Sequence, residues 1–402
     1  MIYRAPPIDR PIAVMAAAAF SPLGFGLGRQ LEGLASSEPL PADREPTGAP
    51  LGALAADEWA RLEAAHAERF PESERSAGLL AAAELLAPLA RALDRAGIPA
   101  DERGLLLGTA TAGLPDTTAR LRAGLSGPRA WRALELGRAP DALARAFGFA
   151  GPVYAPSSAC TAGSKAIADA ARLLRAGRVR AVAAGGLDVK NALTEAGFAA
   201  LGARKGSRAL PFARTREGLH LGEGGGMLLL TLHPEDFDAP PLARLSGWGE
   251  SEDARHISAP DPEGRGAEQA IRLSLERAGC GPDDVGFALL HGTATEQNDR
   301  MEALLMRRLF PDALPSASVK HAVGHALAGA GAYGAALAAG IFSRGAPLPV
   351  HWRKGAGDPD PDAFLPGLTR QALDSHSVDH ILVNAFAFGG SNAALMLSRW
   401  RE

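Results

Sequence analysis

Cysteine is scarce in this chain: only Cys160 and Cys280 occur among 402 residues. Two cysteines cannot build the multiple-disulfide framework of small secreted domains, and reduced thiols are typical of a reducing compartment. We therefore expect a cytoplasmic protein. In a chain so poor in thiols, the surroundings of each cysteine indicate whether it is structural or reactive.

The sequence also lacks a long hydrophobic run and a strong excess of charge. The Ala-rich run Val14–Phe20 is far shorter than the roughly 20 residues that cross a bilayer. Residues 1–7 lack the basic and apolar regions of a secretion signal. The formal net charge is -3, which gives no general attraction to nucleic acid or to an anionic membrane. We expect neither a membrane span nor a nucleic-acid partner.

Short apolar segments typical of strands alternate with longer segments typical of helices, and hydrophobic residues make up 47% of the chain. This pattern predicts an α/β protein with buried sheets. Two halves are expected, residues 1–240 and 241–402, although no sequence repeat demonstrates a duplication. The predicted strands are Ile12–Ala17, Gly104–Leu107, Ala181–Ala184, Gly226–Leu232, Val285–Leu290 and Ile381–Val383. The predicted helices include Ser76–Ala96, Cys160–Ala176, Gly266–Ala278 and Gly331–Phe342.

Cys160 lies between an extended apolar segment and a helix of small residues, in the sequence Pro-Ser-Ser-Ala-Cys-Thr-Ala-Gly. The pattern places the thiol in the first turn of the predicted helix. Unpaired backbone N–H groups and the positive end of the helix dipole lie there, and both favour the reactive thiolate. For a lone cysteine, a buried structural role is the alternative.

Two histidine segments supply possible partners for this thiol. His291 opens a His-Gly-Thr-Ala-Thr segment directly after the apolar strand Val285–Leu290, and open α/β folds bind ligands at the carboxyl ends of strands. Lys320 and His325 precede a second helix of small residues. For each histidine alone, a structural or solvated role is the better interpretation. Together with Cys160, the segments describe a site for thioester chemistry.

A glycine-rich segment lies near the carboxyl terminus, Asn384-Ala-Phe-Ala-Phe-Gly-Gly-Ser-Asn392. Its glycines permit a tight loop whose N–H groups can converge on an oxyanion. Its phenylalanines can gate an apolar channel. A simple Gly-rich turn is the alternative interpretation.

Two other kinds of site are not predicted. Residues 222–226 lack the Gly-Lys-Ser/Thr ending of a phosphate-binding loop and lead into a strand rather than a helix. No pair among Cys160, His291 and His325 has metal-ligand spacing, so no metal is expected.

In chain order, these segments resemble the β-ketoacyl-acyl carrier protein synthases, condensing enzymes of the thiolase superfamily. The resemblance implies a five-layer αβαβα, thiolase-like fold with two halves related by a pseudo-twofold axis. It further implies a dimer with its interface near the nucleophile strands, and no cofactor. The matching segments are Ser157–Gly163 (nucleophile), His291–Thr295 (His-Gly-Thr-Gly-Thr), Lys320–His325 (Lys-x-x-x-Gly-His) and Asn384–Asn392 (Asn-Ser-Phe-Gly-Phe-Gly-Gly-Thr-Asn).

The resemblance also implies a mechanism. Cys160 would attack an acyl thioester on an acyl carrier protein, while the backbone N–H groups of Cys160 and Phe388 hold the oxyanion. Malonyl-carrier protein would then lose CO2, with His291 and His325 stabilising the enolate-like intermediate and Lys320 polarising the site. Phe388 is also the implied gate between the two half-reactions. The implied substrate-binding residues are Thr293, Thr295, Phe386 and Asn392.

Several positions depart from the family pattern. Ala294 replaces a glycine of the histidine motif, and Ala385 and Ala387 replace Ser and Gly in the final loop. The added methyl groups are expected to stiffen these loops or reshape substrate entry. Gly334 stands where relatives commonly carry a glutamate, so this position offers no supporting carboxylate for Lys320. Ala213 stands where an aspartate is usual. These departures indicate a divergent branch and suggest secondary metabolism.

Other interpretations remain open. A chain-length factor, the non-catalytic partner in a ketosynthase heterodimer, usually lacks the nucleophile, so Cys160 argues against it. A homodimer and a heterodimer in which this chain is the active subunit both remain. A degradative thiolase needs a second catalytic cysteine, and Cys280 lies in no matching motif. We expect Arg204 and Arg208 to meet the acidic surface of the carrier protein, on charge complementarity alone.

Overall fold

Each predicted apolar segment overlaps a strand, mostly with longer bounds, whereas the strands Ala243–Glu252 and Ser391–Ser398 and three two-residue strands were not predicted. The computed structural model describes residues 10–124, 127, 131–204 and 207–401. The described strands are β1 (Ile12–Ser21), β2 (Gly24–Phe25), β3 (Arg103–Gly108), β4 (Val153–Tyr154), β5 (Ala181–Asp188), β6 (Gly224–Thr231), β7 (Ala243–Glu252), β8 (Phe287–Leu289), β9 (Ser316–Ala317), β10 (His380–Phe386) and β11 (Ser391–Ser398).

The described strands pair into one sheet. Two sets of five strands with the same connectivity meet at its centre. The strand order is β4-β3-β5-β6-β1-β7-β11-β10-β8-β9, and β2 pairs with β1 alone. Counted outward from the centre, each set has its first, fifth, fourth, second and third strands in that order. The antiparallel pairing of β1 with β7, for example Ile12 opposite Leu245, joins the sets. The structure therefore contains the duplication that the sequence does not demonstrate.

Helices cover both sides of the strands and also separate the two sets. The central helices α6 and α11 pack against each other and against strands of both sets, and α3 and α8 cover the outer faces. This is the expected five-layer, thiolase-like αβαβα arrangement. The described helices are α1 (Leu27–Ala35), α2 (Ala56–His66), α3 (Ala77–Arg95), α4 (Leu114–Arg122), α5 (Arg138–Phe147), α6 (Ala162–Arg175), α7 (Ala192–Ala200), α8 (Arg265–Ala278), α9 (Glu296–Leu309), α10 (Lys320–Val323) and α11 (Gly329–Arg344).

The small residues of the central helices explain their burial. Helix α11 is apolar on nearly all sides, the pattern of a helix inside a core. At the start of α6, the Gly163 N–H donates to the Ala328 carbonyl at 3.1 Å. A Cβ at Gly163 would lie 2.4 Å from the same oxygen. Glycine is thus required where the two central helices bring the halves together.

Three hydrophobic clusters fill the spaces between the layers. The largest surrounds α6 and α11, a second lies between α3 and the first set of strands, and a third lies beneath α8 and α9. In the part of the chain that the structure describes, no helix is both long and apolar enough to cross a membrane. The division at residues 240 and 241 stays a prediction.

Candidate active site

A cavity of about 620 Å³ collects most of the predicted site residues, although they are dispersed in sequence between Cys160 and Asn392. Residues of both halves line this cavity. The lining includes Phe198 of α7 and Leu201, which directly follows that helix. Lys320 and Asn392 do not line it. The predicted residues that do line it are Cys160, His291, Thr293, Thr295, His325, Phe386 and Phe388.

Cys160 lies just before the central helix rather than in its first turn, which corrects the sequence prediction. The helix begins at Ala162 with Thr161 as its N-cap. The preceding residue, Ala159, has φ 49, a left-handed conformation that is uncommon for residues other than glycine and is often found at functional sites. This turn ends the extended segment abruptly and places the thiol at the cavity.

The thiol is held mainly in its neutral form. Burial raises the pKa of Cys160 to about 12, the nearby Lys320 ammonium acts to lower it, and Asp188 acts to raise it further. The predicted preference for the thiolate is therefore outweighed by desolvation in this structure. An attack by Cys160 on a thioester must be accompanied by removal of the thiol proton.

Asp188, which the sequence analysis missed, ties the nucleophile region to the second half. Its buried carboxylate accepts hydrogen bonds from the hydroxyls of Thr109 and Thr111 at 2.7 and 2.8 Å. It also accepts the Ala328 N–H at 2.9 Å. The sequence signal that could have revealed Asp188 is an acidic residue at the end of an otherwise apolar strand. A carboxylate buried there needs several hydrogen-bond donors, which indicates a structural role.

His291 and His325 face each other and line the same cavity as Cys160. Their ring centroids lie 5.3 Å apart with the rings nearly perpendicular, and Phe386 packs against the His291 ring. Burial lowers the pKa of both histidines well below its usual range, and the charge of Lys320 adds to the effect. Two neutral imidazoles can donate N–H groups to developing negative charge without first losing a proton.

Lys320 lies behind the histidines rather than in the cavity. Its ammonium group donates to the backbone carbonyl of His291. Burial lowers the pKa of Lys320 to about 8, while the negative charge of Glu302 opposes that shift. Lys320 therefore acts on the site through the His291 backbone and through its charge.

Glu302 supports this arrangement and was also missed by the sequence analysis. Its carboxylate accepts the N–H groups of His291 and Gly292 at 2.8 and 2.6 Å and the side-chain amide of Asn384 at 3.2 Å. Asp299, one turn earlier, accepts the Thr293 N–H at 3.1 Å. Both acids lie on the buried face of α9. Acidic residues at core positions of an amphipathic helix were the signal that could have revealed them.

The absence of a glutamate at Gly334 does not leave Lys320 without a carboxylate, because Glu302 supplies a nearby negative charge. A Cβ at position 334 would lie 2.7 Å from a methyl group of Val383. Any side chain there would require Val383 to move. Gly334 is thus fitted to the packing of this chain.

The alanine departures have different consequences. Ala294 has φ 66, a conformation that glycine adopts more easily than any residue with a Cβ, at a cost of roughly 1–2 kcal/mol. Ala385 lies within β10, and Ala387 is extended with φ -131, so neither is strained. Near Ala213, Arg216 pairs with Asp360 and lies 3.8 Å from Asp299. Asp360 and Asp299 thus supply carboxylates near the position where an aspartate is usual.

The loop that carries Phe388 closes one side of the cavity. The Phe388 ring packs against Phe198 of α7 with a centroid distance of 5.5 Å. The Gly389 N–H donates to the Ile257 carbonyl at 2.8 Å. Asn392, a predicted substrate-binding residue, instead donates its side-chain amide to Asp253 at 2.8 Å. In this structure Asn392 therefore supports the loop from outside the cavity.

The hydroxyls of Thr293 and Thr295 lie 2.8 Å apart, and both residues line the cavity. They offer polar groups to a substrate close to the histidines. Within residues 10–124, 127, 131–204 and 207–401, no three His, Cys, Asp or Glu side chains are grouped so that they could hold a metal ion.

Two further buried histidines hold the loop that precedes His325. His351 Nδ1 accepts the Ser318 N–H at 3.1 Å, so its Nε2 donates to the Pro211 carbonyl at 3.1 Å. His321 accepts from Arg353 at 3.1 Å through Nε2 and donates to the Ser318 carbonyl through Nδ1. These bonds require neutral rings, because a doubly protonated ring has no acceptor.

We expect acid to destabilise the protein partly through His351. Burial lowers its pKa to about 4, so below its unfolded pKa of about 6.5 the unfolded chain binds more protons than the folded one. The stability is complete above pH 6.5 and declines as the pH falls toward 4. Between pH 7.5 and 5.5 this residue should account for about 1 kcal/mol of lost stability.

Urea unfolding of the parent and of H351N at both pH values tests this expectation. The variant should be less stable at pH 7.5 yet lose less stability on acidification. H256N, at an exposed histidine, is the matched control. An H351N variant with the same pH dependence as the parent would contradict the assignment.

Arg208 does not lie on a docking surface, which corrects the sequence prediction. Its guanidinium is buried, pairs with Glu45 at 3.2 Å and donates to the carbonyl oxygens of Pro41 and His321 at 2.7 and 3.0 Å. It ties an N-terminal loop to α10. Arg204 is partly exposed and lies 3.5 Å from Glu195, and its contact with a carrier protein stays a prediction.

Replacing Arg208 should therefore affect folding rather than docking. R208M leaves the Glu45 carboxylate buried and unpaired, which typically costs about 3–5 kcal/mol of stability. R204M, at a more exposed pair, should cost less than about 1 kcal/mol. Urea denaturation measures both. Equal stabilities of the two variants would show that the buried pair is unimportant.

Known proteins are similar to this chain in both sequence and fold. Residues 9–235 match the model of the beta-ketoacyl synthase N-terminal domain, and residues 242–350 match that of the C-terminal domain. A mitochondrial 3-oxoacyl-[acyl-carrier-protein] synthase of Arabidopsis thaliana is 32% identical over 271 residues, which are 63% of this chain and 57% of that protein. The matched segment thus spans little more than half of that relative.

Two further comparisons extend over more of the chain. The 3-oxoacyl-[acyl-carrier-protein] synthase 2 of Synechocystis is 33% identical over 329 residues, covering 75% of this chain and 76% of that protein. The solved complex of a ketosynthase with its chain length factor from Xenorhabdus doucetiae aligns with 99% of this chain and 100% of the matched one, with TM-score 0.82 and 30% identity. These similarities support a condensing function. Because the two domain models together match most of its length, the chain belongs to the β-ketoacyl synthase family.

Proposed function

We propose that this protein is an acyltransferase that extends an acyl chain by decarboxylative condensation with a malonyl group, both delivered on acyl carrier protein. The observation that carries the proposal is the position of Cys160, His291 and His325 around one cavity. A nucleophile beside two neutral N–H donors suits acyl transfer followed by enolate stabilisation.

In the first half-reaction, the Cys160 sulfur attacks the carbonyl carbon of an acyl thioester. The thiol proton passes to the departing carrier thiolate, and the acyl group remains as a thioester on Cys160. The backbone N–H groups of Cys160 and Phe388 hold the oxyanion of the tetrahedral intermediate. Phe388 and Phe198 together gate the cavity.

In the second half-reaction, the malonyl group loses CO2. The electron pair of the broken C–C bond stays on the remaining two-carbon group, which becomes an enolate. His291 and His325 donate hydrogen bonds to the enolate oxygen, and Lys320 orients His291 through its carbonyl. The enolate carbon attacks the acyl group on Cys160, whose thiolate leaves and regains a proton. Thr293 and Thr295 bind the malonyl group, and the product is a β-ketoacyl chain two carbons longer.

A second proposal concerns assembly. The solved relative from Xenorhabdus doucetiae is a ketosynthase in complex with its chain length factor. That similarity favours a heterodimer in which this chain supplies the nucleophile, with a homodimer as the alternative. Activity of the purified chain alone, compared with activity after co-expression with a chain-length-factor subunit, separates the two assemblies.

Mass spectrometry tests the reaction directly. The chain is incubated with acyl-carrier protein, and the intact mass should increase by the mass of the acyl group. Malonyl-carrier protein is then added, and a β-ketoacyl-carrier protein should appear with release of CO2. An acylated protein that yields no extended product with any carrier or partner subunit would refute the condensing step.

A further inference from the structure

A pair of buried hydroxyls joins the nucleophile loop to the Phe388 loop. Thr161 directly follows Cys160, and Ser391 begins β11 three residues after Phe388. Both side chains are buried. Their Oγ atoms lie 3.1 Å apart although 230 positions separate them in the chain. The contact connects the two halves of the molecule beside the two N–H groups of the proposed oxyanion hole.

Each of the two residues is also bonded within its own loop, Thr161 through its hydroxyl and Ser391 through its backbone carbonyl. Thr161 Oγ1 directs its single proton toward three acceptors: the Ser158 carbonyl at 2.7 Å, the Ser158 hydroxyl at 3.0 Å and the Ser391 hydroxyl at 3.1 Å. The Ser391 hydroxyl is thus the acceptor of the bond from Thr161. The Ser391 carbonyl accepts the Ala387 N–H at 2.8 Å, which folds the Phe388 loop back onto the start of β11. A fixed distance between the hydroxyls is thus transmitted to both loops.

The Phe388 loop is held on its other side by a different set of bonds. Asn392 follows Ser391 along the strand and therefore projects to the opposite face. Its amide binds Asp253 at 2.8 Å and the Gly390 carbonyl at 3.0 Å. The Asp253 N–H donates to the same carbonyl at 2.8 Å. These bonds fasten the loop to the second half only, whereas the Ser391 hydroxyl bonds to the nucleophile loop of the first half.

We propose that the Thr161–Ser391 hydroxyl pair is a positioning device that sets the separation of the Cys160 and Phe388 N–H groups. The inference rests on the proposed function, because it concerns stabilisation of the acyl-transfer oxyanion. Loss of one oxyanion donor typically costs about 100- to 1,000-fold in rate. Displacing a donor by a fraction of an ångström should lower the rate less than removing it does. We expect a decrease of roughly 10-fold or more.

The test compares two reactions of the same thiol in T161V and S391A. Single-turnover acylation of Cys160 by acyl-carrier protein forms an oxyanion, and it should slow by about 10-fold or more in each variant. Alkylation by iodoacetamide forms no oxyanion, and its rate should stay within about twofold of the parent rate. T161S keeps the hydroxyl and should acylate at close to the parent rate. The double variant should be no slower than the slower single variant, since both remove the same bond.

S274A is the matched control, because Ser274 is a buried serine of α8 whose hydroxyl donates to the Ile271 carbonyl of the same helix at 2.8 Å. It should leave both reactions unchanged. S391A removes one oxygen atom and carries the test if T161V does not fold. A folded S391A variant that acylates at the parent rate overturns the positioning role, and so does an equal loss in both reactions. A parent protein that forms no acyl-enzyme overturns the proposed function and this inference with it.

Discussion

Replacing Cys160 with alanine should abolish formation of the acyl-enzyme. The intact mass of C160A should not change after incubation with acyl-carrier protein, and condensation should fall by at least about 1,000-fold, because no other group can carry the acyl chain. The cavity lining includes Cys160 but not Cys280, which packs against the third hydrophobic cluster.

C280A is the matched control for this experiment. Cys280 is free and partly buried, so its replacement tests loss of a thiol without loss of the site. The C280A variant should acylate as the parent does, and both variants should unfold at similar urea concentrations. Acylation of C160A to the parent level would place the nucleophile elsewhere and refute the proposal.

Replacing His325 with alanine should separate the two half-reactions. Loss of one N–H donor to the enolate should slow decarboxylation and condensation by about 100- to 1,000-fold. Acylation of Cys160 should continue, because its oxyanion is held by backbone N–H groups. The measurements are the intact mass of the acyl-enzyme and the rate of CO2 release from malonyl-carrier protein.

The burial of His325 makes a stability measurement necessary. Its backbone N–H donates to the His220 carbonyl at 2.9 Å, and the Gly222 N–H donates back to its carbonyl at 3.1 Å. These bonds do not involve the side chain, so H325A should keep the loop in place. A variant that condenses at the parent rate would contradict the assigned role. Equal loss of acylation and condensation would indicate general damage to the site.

The sequence identified the candidate residues of the site more completely than it predicted their local geometry. Cys160, His291 and His325 could be identified because each lies in a distinctive local motif, and the structure brings all three to one cavity. The helix boundary at Cys160 was two residues wrong, since the strained turn at Ala159 has no signature in a run of small residues. Local patterns predict local structure well only where propensity and packing agree.

Partners of buried charged residues were the part that local patterns could not predict. Arg208 was interpreted as a surface cation, and Glu302, one of several acids on α9, received no interpretation. Their roles depend on Glu45 and on the His291 loop, which are remote in sequence. Hydrogen-bond partners of buried charges are determined by which elements pack together.

The amino-acid sequence by itself determined the α/β class and identified Cys160, His291 and His325 as candidate site residues, because these depend on residue type and on apolar periodicity along the chain. The tertiary structure alone decided that Glu302 supplies the negative charge near Lys320, that Asn392 supports a loop, and that the hydroxyls of Thr161 and Ser391 meet. The physical reason is the same in each case. Burial and hydrogen bonding are properties of the space between elements, and that space exists only after the two halves have packed around α6 and α11.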